Sequence, residues 1–362
     1  MIKCNSNNER IKRLYYEWQR EANQRGSATI DNMRKALTRY EFYTKYQDFK
    51  TFNKHKAVGF KKDLIQTRTK LRNNLSKSTV LSTLNNLKDF FRWLILQNGY
   101  KRLDVREIEY FNLSGKESRI AQAKKRPKVP TIEQIGKVIS LMPLDTEIGR
   151  RNRTIIAFTL LTGMRDSAIA SLKLKHIKLS EELVEQLSAE VNTKNSKTIY
   201  TYFFPVGDDI KKIVIDWVDY LYKTKLFGED APLFPRTKLV LDKNNAFTAD
   251  GVEPIHWKTA NKIRNIFKEA FKNAGIEYFN PHSFRNTLVR LGEQICKTPE
   301  EFKAWSQNLG HEQVLTTFNS YGQIDEYRQG EIIRNIPLNR DNKKDDILNR
   351  LENLLNKNEQ KA

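Results

Sequence analysis

The feature that most constrains the fold is a long segment with helical periodicity and no proline near the start of the chain. From residue 9 to about residue 110, apolar residues recur at spacings of three and four. In residues 29–43 the apolar positions are Ile30, Met33, Ala36, Leu37, Tyr40 and Tyr43. Basic residues lie between them, so one face of the helix is apolar and the other cationic. We expect roughly four or five such helices with a shared core.

Further helices are predicted on either side of residues 29–43. Residues 1–27 have helical spacing through Ile11, Leu14, Tyr15 and Trp18. Another helix is expected after residues 76–79, where Ser78 could cap it, ending near Gly99. Its stripe of leucine and phenylalanine is interpreted as core packing rather than as a surface for stacking on bases. A strand-rich accessory domain at the N-terminus is not expected.

The net charge indicates a polyanionic partner. The chain has 64 Lys and Arg against 43 Asp and Glu, a formal charge of +21. Residues 1–113 hold 24 of the basic and 11 of the acidic residues, which leaves +13 in that segment. A merely soluble basic surface is the alternative. Such an uneven excess favours contact between the first third of the chain and phosphates.

A basic segment separates two predicted domains. Residues 114–130 contain six basic residues, one acidic residue and two prolines, without apolar periodicity. This composition predicts an extended linker that lets two domains close round a duplex; a solvated charge run is the alternative. The expected division is a helical domain at 1–113, the linker, a catalytic domain at 131–338 and a tail helix at 339–362.

Several other kinds of protein are not expected. Cys4 and Cys296 are far apart and have no metal-ligand neighbours, so neither disulfides nor a zinc site are predicted. No apolar run approaches the roughly 18 residues of a membrane span, and the N-terminus lacks the apolar core of a signal peptide. The predicted location is the cytoplasm, in association with the nucleoid, with no membrane partner.

The second half of the chain predicts helices with a small β-sheet. Thr131 opens a helix, and 153–161 is an apolar helix leading to Gly163. Residues 190–206 predict a β-hairpin with a polar turn at 194–197. Residues 238–259 are assigned only as loop with short strands, and helices predominate to about residue 335. The expected fold class is mainly α with a small β-sheet (α+β).

Five residues of this half stand in settings that suit phosphoryl transfer on DNA. They are Arg165 in Thr162-Gly163-Met164-Arg165, His282 and Arg285 in Pro281-His282-Ser283-Phe284-Arg285, His311 in Leu309-Gly310-His311, and Tyr321 at the end of residues 316–321. Breaking a phosphodiester without a metal requires a nucleophile, cations for the phosphoryl oxygens and an acid for the leaving oxygen. The chain offers a group for each task.

This collinear array resembles the active-site signature of the tyrosine recombinases, the phage integrase family. The resemblance implies a helical core-binding domain before the catalytic domain, and a 3′-phosphotyrosyl intermediate formed without cofactor or metal. It also implies double-stranded DNA as partner and a tetrameric synapse of protomers, with accessory proteins as further candidates. Such an enzyme would serve DNA integration or excision, as in a mobile genetic element.

The same resemblance assigns roles to the residues. Tyr321, ten residues after His311, is the nucleophile, and His282 assists its proton transfer. Arg165 and Arg285 grip the non-bridging oxygens, while His311 hydrogen-bonds the phosphate. The family places its acid, a lysine, on a hairpin turn between the two arginines, and Lys194 suits that place better than Lys197.

Two positions depart from the family pattern. The acidic residue usual three positions after the first arginine is replaced by Ala168, so either Asp166 supplies the carboxylate or the site does without it. Asn286 stands where the family often has histidine. The departure at Ala168 bears on how Arg165 is oriented and leaves the reaction class unchanged, and the departure at Asn286 is minor.

Other functions remain as alternatives. A type IB topoisomerase or a telomere resolvase would share the catalytic chemistry. The Leu-Gly-His motif so close to Tyr321 disfavours the topoisomerase, and the short two-domain layout favours neither. A catalytically silent DNA-binding protein of the same fold is the alternative from another class. The presence of all five signature residues argues against it.

The last segment predicts an amphipathic helix with a narrow apolar stripe. The stripe consists of Ile347, Leu351, Leu354 and Leu355. From 339 to 362 the chain has six basic and five acidic residues, too balanced for DNA binding. The stripe is expected to dock on protein, either its own catalytic domain or that of a neighbouring protomer.

Overall fold

A computed structural model of the protein describes residues 4–68, 74–123, 128–243 and 245–311. The chain divides between Lys124 and Lys125 into two compact units. Each unit has its own cluster of buried hydrophobic side chains. Within the described residues, no helix combines the length and apolar character that crossing a bilayer requires.

The first unit, as far as it is described, is built from α-helices. They are α1 (Ser6–Glu21), α2 (Ser27–Tyr43), α3 (Lys54–Gln66), α4 (Lys77–Leu94), α5 (Val105–Ile108) and α6 (Gly115–Gln122). The side chain of Asn5 caps α1 and that of Asn53 caps α3. Helix α4 is capped by Ser76 and not by Ser78, because Ser76 Oγ accepts from Thr79 N at 3.2 Å.

Aromatic rings form the centre of the first unit. The buried Tyr40 ring meets Phe60 and Phe91 edge-on, at centroid distances of 5.3 and 5.4 Å. Phe52 stacks on Phe91 at 4.0 Å, and Phe111 is buried beside them. Rings of this kind remove about 150–250 Å² each from water, so they dominate the core. The prediction that the aromatic stripe packs in the core is confirmed.

The segment predicted as an extended linker is partly helical. Helix α6 occupies much of residues 114–123 and contacts α4. Ser114 and Glu117 form a capping box, in which Ser114 Oγ accepts from Glu117 N while Glu117 accepts from Ser114 N. This local pairing satisfies two backbone donors and starts a helix despite the weak apolar pattern. The prediction of extended chain is therefore wrong for residues 115–122.

The second unit combines helices with two small antiparallel sheets, which confirms the α+β fold class. Its helices are α7 (Ile132–Ser140), α8 (Glu147–Thr162), α9 (Asp166–Ile169), α10 (Asp208–Lys223), α11 (Asn261–Asn273), α12 (Pro281–Ile295) and α13 (Pro299–Asn308). Its strands are β1 (Ile177–Lys178), β2 (Leu183–Gln186), β3 (Ile199–Tyr202), β4 (Arg236–Leu241) and β5 (Phe247–Glu253). Helix α8 is buried along almost its whole length.

The hairpin that presents Lys194 differs from the one predicted. Strand β3 pairs with β2, with Leu183 opposite Tyr202 and Gln186 opposite Ile199. Residues 190–193, predicted as the first strand, instead belong to the connection between β2 and β3. Val191 is buried in the core there, which draws the chain away from the sheet. The prediction of a strand at 190–193 is therefore wrong.

Strands β4 and β5 form a separate hairpin in the segment that the sequence left largely unassigned. Two charged side chains of α8, one turn apart, hold its base. Glu147 Oε2 accepts from Val252 N at 2.7 Å. Arg151 donates to Pro235 O at 3.0 Å and to Thr237 Oγ1 at 3.1 Å. Burial of both charges on one helix face fixes the hairpin to the core.

Replacing Gly163 with alanine is expected to destabilise the second unit. Gly163 ends α8 with φ of +60°, and a Cβ there would lie 2.7 Å from Leu309 Cδ2 and 2.8 Å from Leu288 Cδ1. Backbone strain and displaced core contacts should cost about 2–4 kcal/mol of unfolding free energy. Gly136→Ala in α7 is the control, because the added Cβ would meet no described atom within 4 Å beyond its chain neighbours and the backbone of its own helix.

The control variant should be stabilised by about 0.5–1 kcal/mol, since alanine is the better helix former. Urea denaturation of both variants measures the difference. Equal stability of Gly163→Ala and the original chain would show that this close approach is not required.

Candidate active site

Arg285 lies at the centre of the candidate site and is almost completely buried. Asn280 caps α12 and Pro281 occupies its first turn, so His282 and Arg285 lie on one face of the helix. The Arg285 guanidinium is 3% exposed and donates to Gly163 O, to Leu309 O and to His311 Nε2 at 3.1 Å. Its bonds therefore join α12 to the end of α8 and to the turn after α13.

The position of Arg165 is set by the way α8 ends. Gly163 takes a left-handed conformation at the end of α8, and Arg165 occupies the N-cap position of α9 two residues later. Its side chain is half-buried, and burial lowers its pKa. Within the described part of the chain, its guanidinium has no hydrogen-bond partner. A charged fork without a protein partner is suited to hold an anion.

Both histidines of the site are neutral at pH 7. Burial, followed by the charges of Arg285 and Arg165, lowers the pKa of His311 to about 4. The pKa of His282 is lowered by partial desolvation of its ring and then by the charges of the same two arginines, while Asp166 opposes the shift. Because His311 Nε2 accepts from Arg285, the proton of the neutral ring is assigned to Nδ1.

The guanidinium of Arg285 stays charged in this environment. Burial, and next the repulsion from Arg165, lower its pKa to about 9, which is still well above neutral pH. Two arginine charges therefore lie close together beside neutral imidazoles. Such a concentration of positive charge favours a bound phosphate.

Lys194, in the connection before β3, lines the same groove as Arg165 and His311. A groove of about 1150 Å³ has both polar and apolar walls, and Arg165, Lys194, Lys197 and His311 line it. The charge of Lys194 contributes to lowering the pKa of both site histidines, so it lies near them. Lys197 lines the groove as well, and both lysines remain candidates for the acid.

The missing acidic residue of the family pattern is not replaced at Arg165. Ala168 is 1% exposed and packs in the core, where a carboxylate would be buried without a partner. Asp166 Oδ2 accepts from Arg264 Nε on α11 at 2.6 Å and, among the described residues, makes no hydrogen bond to Arg165. Of the two alternatives, the contacts of the described residues favour a site in which no carboxylate holds Arg165 directly. Nothing in the sequence around Arg264 had marked it as part of the site.

The structure thus brings together Arg165, Lys194, His282, Arg285 and His311. These residues come from the start of α9, the β2–β3 connection, α12 and the turn after α13. Tyr321 and the tail helix lie outside the described residues, and their assignment stays with the sequence.

The low pKa of His311 predicts a specific pH dependence of stability. In the unfolded chain a histidine has a pKa near its usual 6.5, so between about pH 6.5 and 4 the unfolded state binds the extra proton. The contribution of His311 is complete above pH 6.5 and is lost as the pH falls toward 4. Urea denaturation of DNA-free protein across this range measures it.

His311→Gln is the test variant, because glutamine keeps an acceptor for Arg285 but does not titrate. Its stability should decline less steeply than that of the original chain over the same range. Parallel curves for the two proteins would mean that His311 does not carry the shift.

The comparison with known proteins agrees with this geometry. Residues 131–328, more than half of the chain, match the model of the phage integrase family. The chain is similar to the tyrosine recombinase XerC of Bacillus pumilus (strain SAFR-032), with 22% identity over 314 residues that cover 86% of this chain and 91% of the relative. The XerC of Lactobacillus leichmannii is 26% identical over 245 residues, 67% of this chain and 71% of the relative.

Solved structures share the fold. The XerH site-specific recombinase bound to a palindromic difH substrate, a post-cleavage complex, matches with a TM-score of 0.60 at 19% identity, covering 88% of this chain and 82% of that one. A dimer of lambda integrase (75-356) bound to a COC′ core site matches with a TM-score of 0.59 at 14% identity, covering 88% and 98%. From its sequence match and its fold, this chain belongs to the phage integrase family, the tyrosine-type site-specific recombinases.

Proposed function

We propose that this chain is a site-specific DNA recombinase of a mobile genetic element, which cuts and rejoins DNA through a 3′-phosphotyrosyl link to Tyr321. The observation that carries the proposal is the convergence of Arg165, Lys194 and Arg285 beside two neutral histidines. Positive charge that converges in this way suits a phosphodiester undergoing attack. Integration and excision are the reactions such an enzyme would serve.

The proposed cleavage step balances its atoms without a cofactor. The phenolic oxygen of Tyr321 attacks phosphorus, and its proton passes to neutral His282 as the general base. The bond between phosphorus and the 5′-oxygen breaks, and the ammonium of Lys194 gives that oxygen a proton. Rejoining reverses the steps, with a DNA 5′-hydroxyl attacking the phosphotyrosine.

The two arginines have different proposed tasks. Arg165, whose guanidinium lacks a partner among the described residues, grips the non-bridging oxygens directly. Arg285 donates three hydrogen bonds to protein acceptors, so its proposed tasks are to contribute positive charge and to fix His311. Its buried Nε–H has no protein partner within the described residues. His311, neutral at pH 7, is the proposed hydrogen-bond donor to the phosphate through Nδ1.

Double-stranded DNA is the proposed partner. The chain has a formal charge of +21, and its helical first unit carries much of this excess. Lysine and arginine side chains that replace counterions along the backbone provide affinity that does not depend on sequence. The XerH and lambda integrase structures named above are complexes with DNA. Such a partner would place the enzyme with the nucleoid in the cytoplasm.

Recombination is proposed to occur in a tetrameric synapse that the tail helps to assemble. Exchange between two duplexes involves four strands, so each protomer would cut one. The stripe of Ile347, Leu351, Leu354 and Leu355 needs a protein surface, and the balanced charge of the tail disfavours DNA. We propose that the tail docks on the catalytic domain of a neighbouring protomer.

Tyr321→Phe should abolish covalent attachment to DNA while leaving binding nearly unchanged, because the phenolic oxygen forms the bond and adds little to the interface. The substrate is selected by incubating the original chain with a pool of nicked, random-sequence duplexes and sequencing the DNA that becomes covalently bound. Denaturing gels on the selected duplex then compare variants. Tyr327→Phe is the matched control and should retain the adduct. If Tyr327→Phe lost the adduct and Tyr321→Phe kept it, Tyr327 would be the nucleophile instead.

Truncation after Asn339 should leave a monomer with an unchanged melting temperature and unchanged affinity for DNA, but with poor synapse formation and recombination. The reason is that the tail contributes contacts between protomers rather than within one. Thermal melting, gel shift and recombination of the selected duplexes measure these properties. A lower melting temperature of the truncated monomer, or full recombination, would refute docking between protomers.

A further inference from the structure

Two serines hold the backbone of Asn192 from both sides. Asn192 N donates to Ser171 Oγ at 2.9 Å, and Ser167 Oγ donates to Asn192 O at 3.3 Å. Ser171 Oγ in turn donates to Ala168 O at 3.0 Å, at the end of α9. Both the donor and the acceptor of one peptide residue are thus bound to the segment that begins with Arg165. We call Ser167 and Ser171 the serine clamp.

The serine clamp links two residues of the proposed site over a short distance along the chain. Ser167 follows Arg165 by two residues, and Asn192 precedes Lys194 by two. The residue before Asn192, Val191, is 3% exposed and belongs to the core. The backbone is therefore fixed up to two residues before Lys194, although Lys194 itself is exposed.

A second set of contacts holds the same connection two residues before Asn192. Glu190 Oε2 accepts from Lys173 Nζ at 2.8 Å and from Lys175 Nζ at 2.9 Å. These pairs are partly exposed, and each contributes little to stability. They restrict where the chain can run, whereas the serine clamp restricts how the peptide at 192 is oriented.

Stability alone gives little reason for the serine clamp. Asn192 is exposed, so water could replace either hydroxyl as a partner of its peptide groups at small cost. Proton transfer is far more sensitive, because an acid misplaced by about 1 Å can lose on the order of a hundredfold in rate. A polar bond on an exposed peptide near a candidate acid therefore has its main effect on geometry.

We propose that Ser171, assisted by Ser167, is a positioning residue that holds Lys194 where it can protonate the leaving 5′-oxygen. The hydroxyls touch neither DNA nor the reacting atoms and act through the backbone of Asn192. This inference rests on the proposed function, because it requires Lys194 to be the acid of a phosphotyrosyl-forming cleavage.

The experiment uses the full chain and the selected duplex in two forms, one normal and one with sulfur replacing the bridging 5′-oxygen at the mapped cleavage position. A thiolate leaves without protonation, so sulfur removes the need for the acid. Ser171→Ala should slow cleavage of the normal duplex about tenfold, the effect of about one lost hydrogen bond. On the sulfur duplex its rate should equal that of the original chain.

Four further variants sharpen the reading. Lys194→Ala is the reference and should show a larger loss on the normal duplex that sulfur also restores. Ser167→Ala should show a smaller loss of the same kind, because its bond is longer. Ser171→Thr keeps the hydroxyl and should retain the rate, and Ser140→Ala, an exposed serine at the end of α7, should behave as the original chain.

The outcomes separate this inference from the proposed function. If the original chain forms no covalent adduct with any duplex, the proposed function fails and the inference falls with it. If it does, but Ser171→Ala loses equally on both duplexes, the hydroxyl acts through Arg165 or the fold and the inference is wrong. An unchanged rate on both duplexes, or sulfur rescue of Lys197→Ala in place of Lys194→Ala, would also overturn it.

Discussion

The hydrogen bonds of the buried Arg285 guanidinium are the interactions on which the rest of the second unit depends. Removing such a charge from water costs several kcal/mol unless acceptors replace the lost solvation. Here those acceptors are Gly163 O, Leu309 O and His311 Nε2, on segments far apart in sequence. The charge is accommodated only when α8, α12 and the turn after α13 meet. Assembly of the site is therefore part of folding the core.

The sheet is tied to the same turn by side-chain and steric contacts. Asn308 accepts from Tyr202 N at 2.7 Å and donates to Tyr202 O at 2.9 Å, so the end of α13 pairs with the edge of β3. Gly310 takes a φ of +68°, which strains other residues, and a Cβ there would also lie 2.9 Å from Ile199 Cδ1. The connection that carries Lys194 runs into β3, and His311 follows Gly310. These contacts link the two sides of the groove.

The site concentrates positive charge at a cost to stability. Burial is the main cause that lowers the pKa of Arg285 and of His311, and the charge of Arg165 lowers both further, as does that of Arg285 for His311. The Asp166 carboxylate is engaged by Arg264 and leaves Arg165 without a carboxylate partner among the described residues. Like charges held near one another in a folded chain are typical of a functional site.

The sequence by itself determined the helical first unit, its aromatic core, the α+β class of the second unit and the family. The helical periodicity and the motifs around Arg165, His282, Arg285 and His311 can be read directly from the order of residues.

Only the tertiary structure decided which side chains and backbone groups contact one another. The cap of α4, helix α6 and the strands of the hairpin depended on which hydrogen bonds formed, and a propensity pattern does not rank these competing bonds. The burial of Arg285, the pairing of Asp166 with Arg264 and the serine clamp join residues distant in sequence. Such contacts leave no periodic trace, because they are set by the packing of elements that meet only in three dimensions.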